Sequence, residues 1–371
     1  MIPLRYNSSV NDAYEKHIEG FKKRLNGWIS KGYVGERKDT GKAEEWKRFR
    51  ASRTSATQRC FNSLFPNLDA TCDNDSFSAS KYIIDDGAKN ALLHFRDMIT
   101  IDVLINKNTA EMLKLIEDVE RDYPDVKNHL TQTYKVLRHA FVDLGYEKLD
   151  KGKFLEATEI GVCPYCNRTF IQNVDITKTN MNGEIYKAEI KGELDHFLNK
   201  EKYPYLALCR YNLVPSCPFC NHTKSNADNP NIISPYDLTD HNGIRFRMEI
   251  TGSHFTDMKE CANAITIKVD DNTNGIKPSM EDNIKGFHLR ELYSTHTDYA
   301  AEIYYKGKLR WNPAYRYWLR KVVAPLNGCS MTNEEIERYI LGNYTQPEKF
   351  NKRPLSKFQH DLAVDAKIIK K

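Results

Sequence analysis

Four cysteines stand in two Cys-x-x-Cys pairs, Cys163 and Cys166 in GVCPYCNRTF and Cys217 and Cys220 in SCPFCN, with 50 residues between Cys166 and Cys217. One such pair serves either dithiol redox exchange or one edge of a metal site. Redox exchange needs a single exposed dithiol and leaves the second pair without work. Two half-sites suit tetrahedral zinc, since each bends its chain around one edge of the metal and four thiolates satisfy a soft cation at about 2.3 Å. Zinc bound by Cys163, Cys166, Cys217 and Cys220 is therefore the expectation. The interval between the pairs exceeds that of a small zinc ribbon and must contain structure of its own. Inside it and just after it stand ELDHFLNK (Glu193 to Lys200), RYNLVPSC (Arg210 to Cys217) and CNHTK (Cys220 to Lys224).

Asp-His, then Asn, then Asn-x-x-Lys, in this order and framed by the cysteine pairs, resemble the HNH endonuclease family, whose ββα-metal unit is often stapled by a four-cysteine zinc. The resemblance spans roughly residues 154 to 237. Phosphodiester cleavage needs a base for water and a cation to neutralise charge gathering on the phosphoryl oxygens and the leaving oxygen. Asp195 offers an anionic oxygen and Asn221 a neutral carbonyl oxygen. So sparse a set leaves most positions of an octahedral magnesium or manganese for water and phosphate. The resemblance makes His196 the base, and an imidazole with an ordinary pKa near 6.5 suits that task at neutral pH.

By the same resemblance, Asn212 is the middle Asn, bracing the loop that carries the histidine through side-chain to backbone hydrogen bonds. Lys224 lies three residues after Asn221, one turn on if the segment from Pro218 is helical, so both can face one phosphate. Many relatives carry His at the last motif position; here Asn221 is followed by His222, and either can be the ligand. Alignment on the lysine favours Asn221. Taken singly, each residue has a plainer role: Asp195 a turn cap, His196 a satisfied buried imidazole, Asn212 an Asx-turn. Arg168 reads as a surface arginine rather than a phosphate contact, and the aromatic YPYLALCRY (Tyr203 to Tyr211) as packing behind the metal centre rather than a base-stacking platform.

These residues need elements to position them. The first 150 residues carry helical periodicity in DAYEKHIEGFKKRLNGWI, AKNALLHFRDMITIDVLI, AEMLKLIEDVERDY and HLTQTYKVLRHAFVDLGY, with breaks at Gly32 to Gly41 and Asp69 to Ser80. From about Phe154 the pattern changes: TFIQNVDI and IYKAEIKGELDHF read as two strands about the turn TKTNMNGE. RFRMEITG and AITIKVDD read as another strand pair, after which GFHLRELYSTHTDYAAEIYYK and the remainder return to helix. NIISPYDL and that first helix look like segments that follow the core in bacterial HNH members linked to restriction or anti-phage defence.

The expected architecture is therefore α+β. It comprises a helical N-terminal region (1–150) for target or partner, a zinc-braced ββα-metal nuclease core (151–240), and a C-terminal strand-plus-helix region (241–371). A ββα unit buries too little apolar surface to stand firmly alone, so zinc would supply part of its folding free energy. No apolar run approaches the roughly 20 residues that span a bilayer, the start lacks a secretory h-region, and the five other cysteines are scattered, so a cytoplasmic protein without membrane contact is expected. The net charge of +5 is uneven: residues 1–60 and 301–371 each carry 14 Lys+Arg against 7 Asp+Glu. The ends are thus basic and the middle acidic, which is either a solvated face or a pair of clamps on an anionic backbone. The expected substrate is double-stranded DNA. The resemblance also allows a regulatory ATPase or nucleotide-sensing partner, and the rival from another class is a zinc-stapled nucleic-acid-binding or scaffold protein that does not cut.

Overall fold

The computed structural model describes residues 1–5, 11–35, 82–98, 104–172, 174–179, 185–190, 192–225, 231–252, 254–273, 279–309 and 313–369. The break expected at Asp69 to Ser80, most of that at Gly32 to Gly41, residues 36–60 of the basic N-terminal stretch, Cys60, Cys72 and most of the turn TKTNMNGE lie outside the described residues. The chain is a mixture of helices and small antiparallel sheets, an α+β arrangement. It divides into two compact units, one of Glu15–Leu149 with Leu198–Asn212, the other of Met1–Tyr14, Asp150–Phe197 and Leu213–Lys371. The segments expected as a nuclease core and as a C-terminal region thus share a unit, while 198–212 belongs with the helical N-terminal residues.

The helical unit is built on α1 (Asn11–Lys31), whose Ile18, Phe21, Leu25 and Trp28 fall at three- and four-residue spacing and are each at most 4% exposed. A short pairing of β1 (Tyr33–Val34) with β2 (Tyr82–Ile83) follows, then α2 (Asp86–Leu93), α3 (Thr109–Asp122) and α4 (Gln132–Arg138). Asn108 and Glu111 close a capping box at the start of α3, which satisfies two otherwise orphaned N–H groups. The periodic segments after α2 and α4 continue as single π-helical turns, His94–Met98 and His139–Asp143. YPYLALCRY, expected to pack behind the metal centre, belongs to this unit instead, with Tyr205 stacked on Phe95 at 5.1 Å.

The other unit begins with α5 (Lys151–Ala157) and the antiparallel pair β3 (Val174–Thr179) and β4 (Ile185–Ile190). The run IYKAEIKGELDHF does not continue as one strand: β5 (Glu193–His196) pairs instead with β6 (Leu213–Ser216). Gly192 marks the break, for a Cβ there would lie 2.8 Å from both the Cβ and the carbonyl oxygen of Ile171. α6 (Pro218–Ser225) follows directly and packs on β5, giving a strand–strand–helix order.

Beyond it, β7 (Ile244–Ile250) and α7 (Met258–Asn263) lead into β8 (Ile265–Asp271), which pairs with β7. Alternation buries Ile244 and Phe246 on β7 and Ile265, Ile267 and Val269 on β8. α8 (Glu281–Gly286) precedes the helical segment expected at GFHLRELYSTHTDYAAEIYYK, which comprises α9 (Leu289–Ser294) and most of α10 (Thr297–Leu309). The break between α8 and α9 is at His288, whose φ of 51° leaves the helical region. α11 (Pro313–Trp318), α12 (Asn333–Leu341) and α13 (Ser356–Asp365) complete the chain. α13 packs on β7, and its Phe358 joins Phe246 and Tyr293 in one aromatic cluster. Among the described residues no helix is long and apolar enough to cross a membrane.

Candidate metal centre and polar site

The first cysteine pair sits in a tight loop. Val162 bridges Phe170, the Cys163 N–H donates to Thr169 O at 2.9 Å, and the Asn167 N–H donates to Cys163 O at 2.8 Å. Asn167 takes a φ of 51°, a conformation that asparagine tolerates better than most residues, and this turns the chain back beneath the sulfurs. Its side chain, 2% exposed, donates to Phe350 O at 2.9 Å and accepts from the Lys357 N–H at 3.1 Å. The start of α13 is thereby fastened to the cysteine loop. The second pair spans the start of α6: Cys217 precedes Pro218, Cys220 lies in the first turn, and the Asn221 N–H donates to Cys217 O at 3.0 Å.

Sulfurs of Cys163, Cys166, Cys217 and Cys220 all lie within 4.8 Å of one another, and all four residues are buried. A tetrahedron of sulfurs at zinc distance has edges of about 3.8 Å, and Cys166 Sγ is 4.0 Å from Cys217 Sγ. The Arg168 N–H also points at Cys166 Sγ, at 3.4 Å, the contact a thiolate accepts. The four residues therefore fit a metal such as zinc. Hydrogen bonds from the other three thiols hold Cys217 well below the ordinary thiol range, while burial pushes Cys163 up.

Beside this cluster lies the polar pairing of β5 with α6. Glu193 and Asp195, two apart on a strand, share a face, and Asn221 and Lys224, three apart on a helix, share another. Asn221 Nδ2 donates to Glu193 Oε2 at 2.7 Å. Lys224 Nζ lies 3.2 Å from Asp195 Oδ1 and Oδ2 and donates to the His196 carbonyl oxygen at 2.9 Å. Phe197 lies beneath the same ammonium, its ring centre 5.3 Å away. The second oxygen of Asp195 accepts the Tyr165 hydroxyl at 2.6 Å. Tyr165 is the residue between Pro164 and Cys166, wholly buried, its ring stacked on Phe287 with centres 4.3 Å apart. Burial raises the pKa of Asp195, while Lys224 and the Tyr165 hydroxyl oppose that shift.

Asp195, Lys224 and the backbone of His196 are thus joined directly, and Asn221 lies one helical turn before Lys224, on the side turned toward β5. His222 lies about 100° further round the helix than Asn221. The His196 side chain is buried, at 8% residue exposure. Asn212 belongs to the helical unit and bonds to none of these. Its Oδ1 accepts from the Leu198 N–H at 2.6 Å, and its Nδ2 donates to the carbonyls of Leu198 and Leu206 at 3.0 and 3.1 Å. Leu198 follows His196 by two residues, so these are side-chain to backbone bonds on the segment that leaves the histidine. Arg168 donates from Nε to His296 Nε2 at 3.0 Å.

Two members of the polar site had no role in the sequence reading. Glu193 could have been found from strand periodicity, as the residue two before Asp195. Tyr165 carried no signal beyond its place inside Cys-x-x-Cys. With Nδ2 committed to Glu193, Asn221 keeps its amide oxygen, and the negative charge of Asp195 is shared by Tyr165 and Lys224. No family model matches this chain, and comparison with curated proteins and with solved structures finds no match either.

Proposed function

We propose that the chain is a metal-dependent HNH endonuclease that hydrolyses phosphodiester bonds, with double-stranded DNA as substrate and zinc as a structural brace. The observation that carries this reading is the strand–strand–helix unit over Glu193–Ser225. It places a carboxylate, a histidine backbone, an amide and an ammonium together beside four clustered sulfurs. In this reading zinc on Cys163, Cys166, Cys217 and Cys220 pins the cysteine loop to the start of α6. Asp195 and Asn221 would hold magnesium or manganese, which supplies a Lewis acid for the phosphoryl oxygens. His196 accepts the proton of the attacking water, and Lys224, on the same helix face as Asn221, neutralises charge at the phosphate. Asn212 holds the loop that follows the histidine.

The basic termini serve as backbone clamps, so binding weakens steeply with salt. Among the described residues the cysteines are free thiols, which fits a reducing, cytoplasmic setting. Restriction or anti-phage defence, under control of an ATPase or nucleotide-sensing partner, completes the proposal.

One feature favours the rival binding role: Asp195 is already satisfied by Tyr165 and Lys224 without any cation. A plasmid-nicking assay in magnesium, with EDTA and His196→Ala controls, on protein copurified from native extract, separates the two. The nuclease converts supercoiled plasmid, EDTA stops it, and His196→Ala keeps zinc and fold while losing cleavage. A protein that shifts DNA without cutting it, or a fully active His196→Ala variant, refutes the assignment.

A further inference from the structure

Tyr165 is a buried side chain of the cysteine loop that reaches the polar site. Its neighbours in the chain, Pro164 and Cys166, belong to the cysteine loop, and its hydroxyl reaches Asp195 Oδ2 at 2.6 Å. That length is typical of a hydroxyl donating to a carboxylate, about twice as strong as a neutral pair. The ring has no freedom to drift: it is 0% exposed and stacked on Phe287 at an interplanar angle of 24°. Lys224, the other partner of Asp195, is held differently. Its ammonium ends a four-carbon stem, lies 3.2 Å from either oxygen and also donates to the His196 carbonyl oxygen at 2.9 Å, so a cation that takes up Oδ1 leaves it that second acceptor.

We infer that Tyr165 is a positioning residue for the cation site. Its hydroxyl occupies Oδ2 and stops the carboxylate from rotating, so that Oδ1 meets the cation. Because the cysteine loop fixes the ring, integrity of the sulfur cluster is transmitted to cation affinity. This rests on the reading of Asp195 as a cation ligand given above. Outer-shell partners that orient a ligating carboxylate typically govern metal affinity by about 10- to 100-fold.

The test is Mn²⁺ binding, by calorimetry and by the loss of the free-ion electron paramagnetic resonance signal, on the full zinc-loaded chain. Wild type, Tyr165→Phe and Asp195→Asn are compared, with zinc content measured on each. Tyr165→Phe keeps the ring stack and is expected to retain full zinc while its Mn²⁺ affinity falls about 10- to 100-fold. Cleavage would then be lost at low Mn²⁺ and restored at high Mn²⁺. A merely structural tyrosine would lower the melting temperature and leave Mn²⁺ affinity where it was. Wild-type affinity in Tyr165→Phe, with binding abolished in Asp195→Asn, overturns the inference and leaves the nuclease reading standing. Equal Mn²⁺ binding by wild type and Asp195→Asn removes both. Should Tyr165→Phe lose its zinc, 3-fluorotyrosine at position 165 retains the hydroxyl. Its fluorine resonance should then move on Mg²⁺ saturation in the wild-type background and stay fixed in Asp195→Asn. A resonance unmoved by Mg²⁺ in both overturns the inference.

Discussion

Replacing Asn212 tests whether it is a brace or a participant in chemistry. The residue is 0% exposed and its amide makes three hydrogen bonds, one accepted from the Leu198 N–H and two donated to the carbonyls of Leu198 and Leu206. Alanine removes all three. The Leu198 N–H loses its short 2.6 Å acceptor, and a buried donor left unpaired costs about 1–3 kcal/mol. Each carbonyl keeps a second lone pair and loses less, so the sum is about 3 kcal/mol. That is roughly a 150-fold rise in the local opening equilibrium. Hydrogen exchange read by mass spectrometry should therefore speed by about two orders of magnitude in peptides covering 198–209.

Aspartate sharpens the test. It is nearly isosteric and still accepts from Leu198, yet it places an acceptor without hydrogens against two carbonyl oxygens and buries a charge between them. Asn212→Asp should exchange at least as fast as Asn212→Ala. Wild-type exchange in Asn212→Asp would refute the hydrogen-bond assignment. Cleavage is the second readout: a brace predicts that protection and cleavage fall together, whereas unchanged protection with lost cleavage would make Asn212 a chemical participant.

Cys163→Ser and Cys220→Ser should each lower zinc content and the thermal midpoint, because three thiolates and a hydroxyl hold zinc more weakly than four thiolates; full stoichiometric zinc in both would contradict the brace. Acid should also destabilise the unit that contains His241 and His360. Burial pushes His241 down to about 4 and lowers His360 as well. Between about 6.5 and 4 the unfolded chain binds more protons, so stability is flat above 6.5 and falls as pH drops through that window. Urea midpoints at pH 8, 6.5 and 5 measure this. His241→Gln should flatten part of the slope, and an unchanged slope counts against the burial argument.

The sulfur cluster was legible because a metal would impose its geometry on sequence: two Cys-x-x-Cys pairs can meet one ion in few ways, and the sulfurs do converge within 4.8 Å. Strand periodicity likewise revealed β7 and β8, whose buried residues alternate along both strands. The end of β4 was not legible. IYKAEIKGELDHF alternates well enough to read as one strand, and what breaks it is the close approach of Ile171 to Gly192, a contact from twenty-odd residues away. The same holds for 198–212. Its apolar run YPYLALC announces burial, but periodicity cannot say against which element, and it packs with Phe95 of the helical unit.

The polar site divides along the same line. That Asp195, Asn221 and Lys224 would stand near one another was legible because their spacing on a strand and on a helix is local, and the helix presents Asn221 and Lys224 together. Tyr165 was missed because its partner is thirty residues away and the hydrogen bond depends on a ring clamped by Phe287, over a hundred residues further on. That dependence is also what makes Tyr165 informative. A side chain with a local role can be replaced by local compensation, but the buried Tyr165 hydroxyl is spent on a carboxylate of another element. If Asp195 is the proposed cation ligand, removing that oxygen should be felt first in cation affinity, and only secondarily in whether the loop folds.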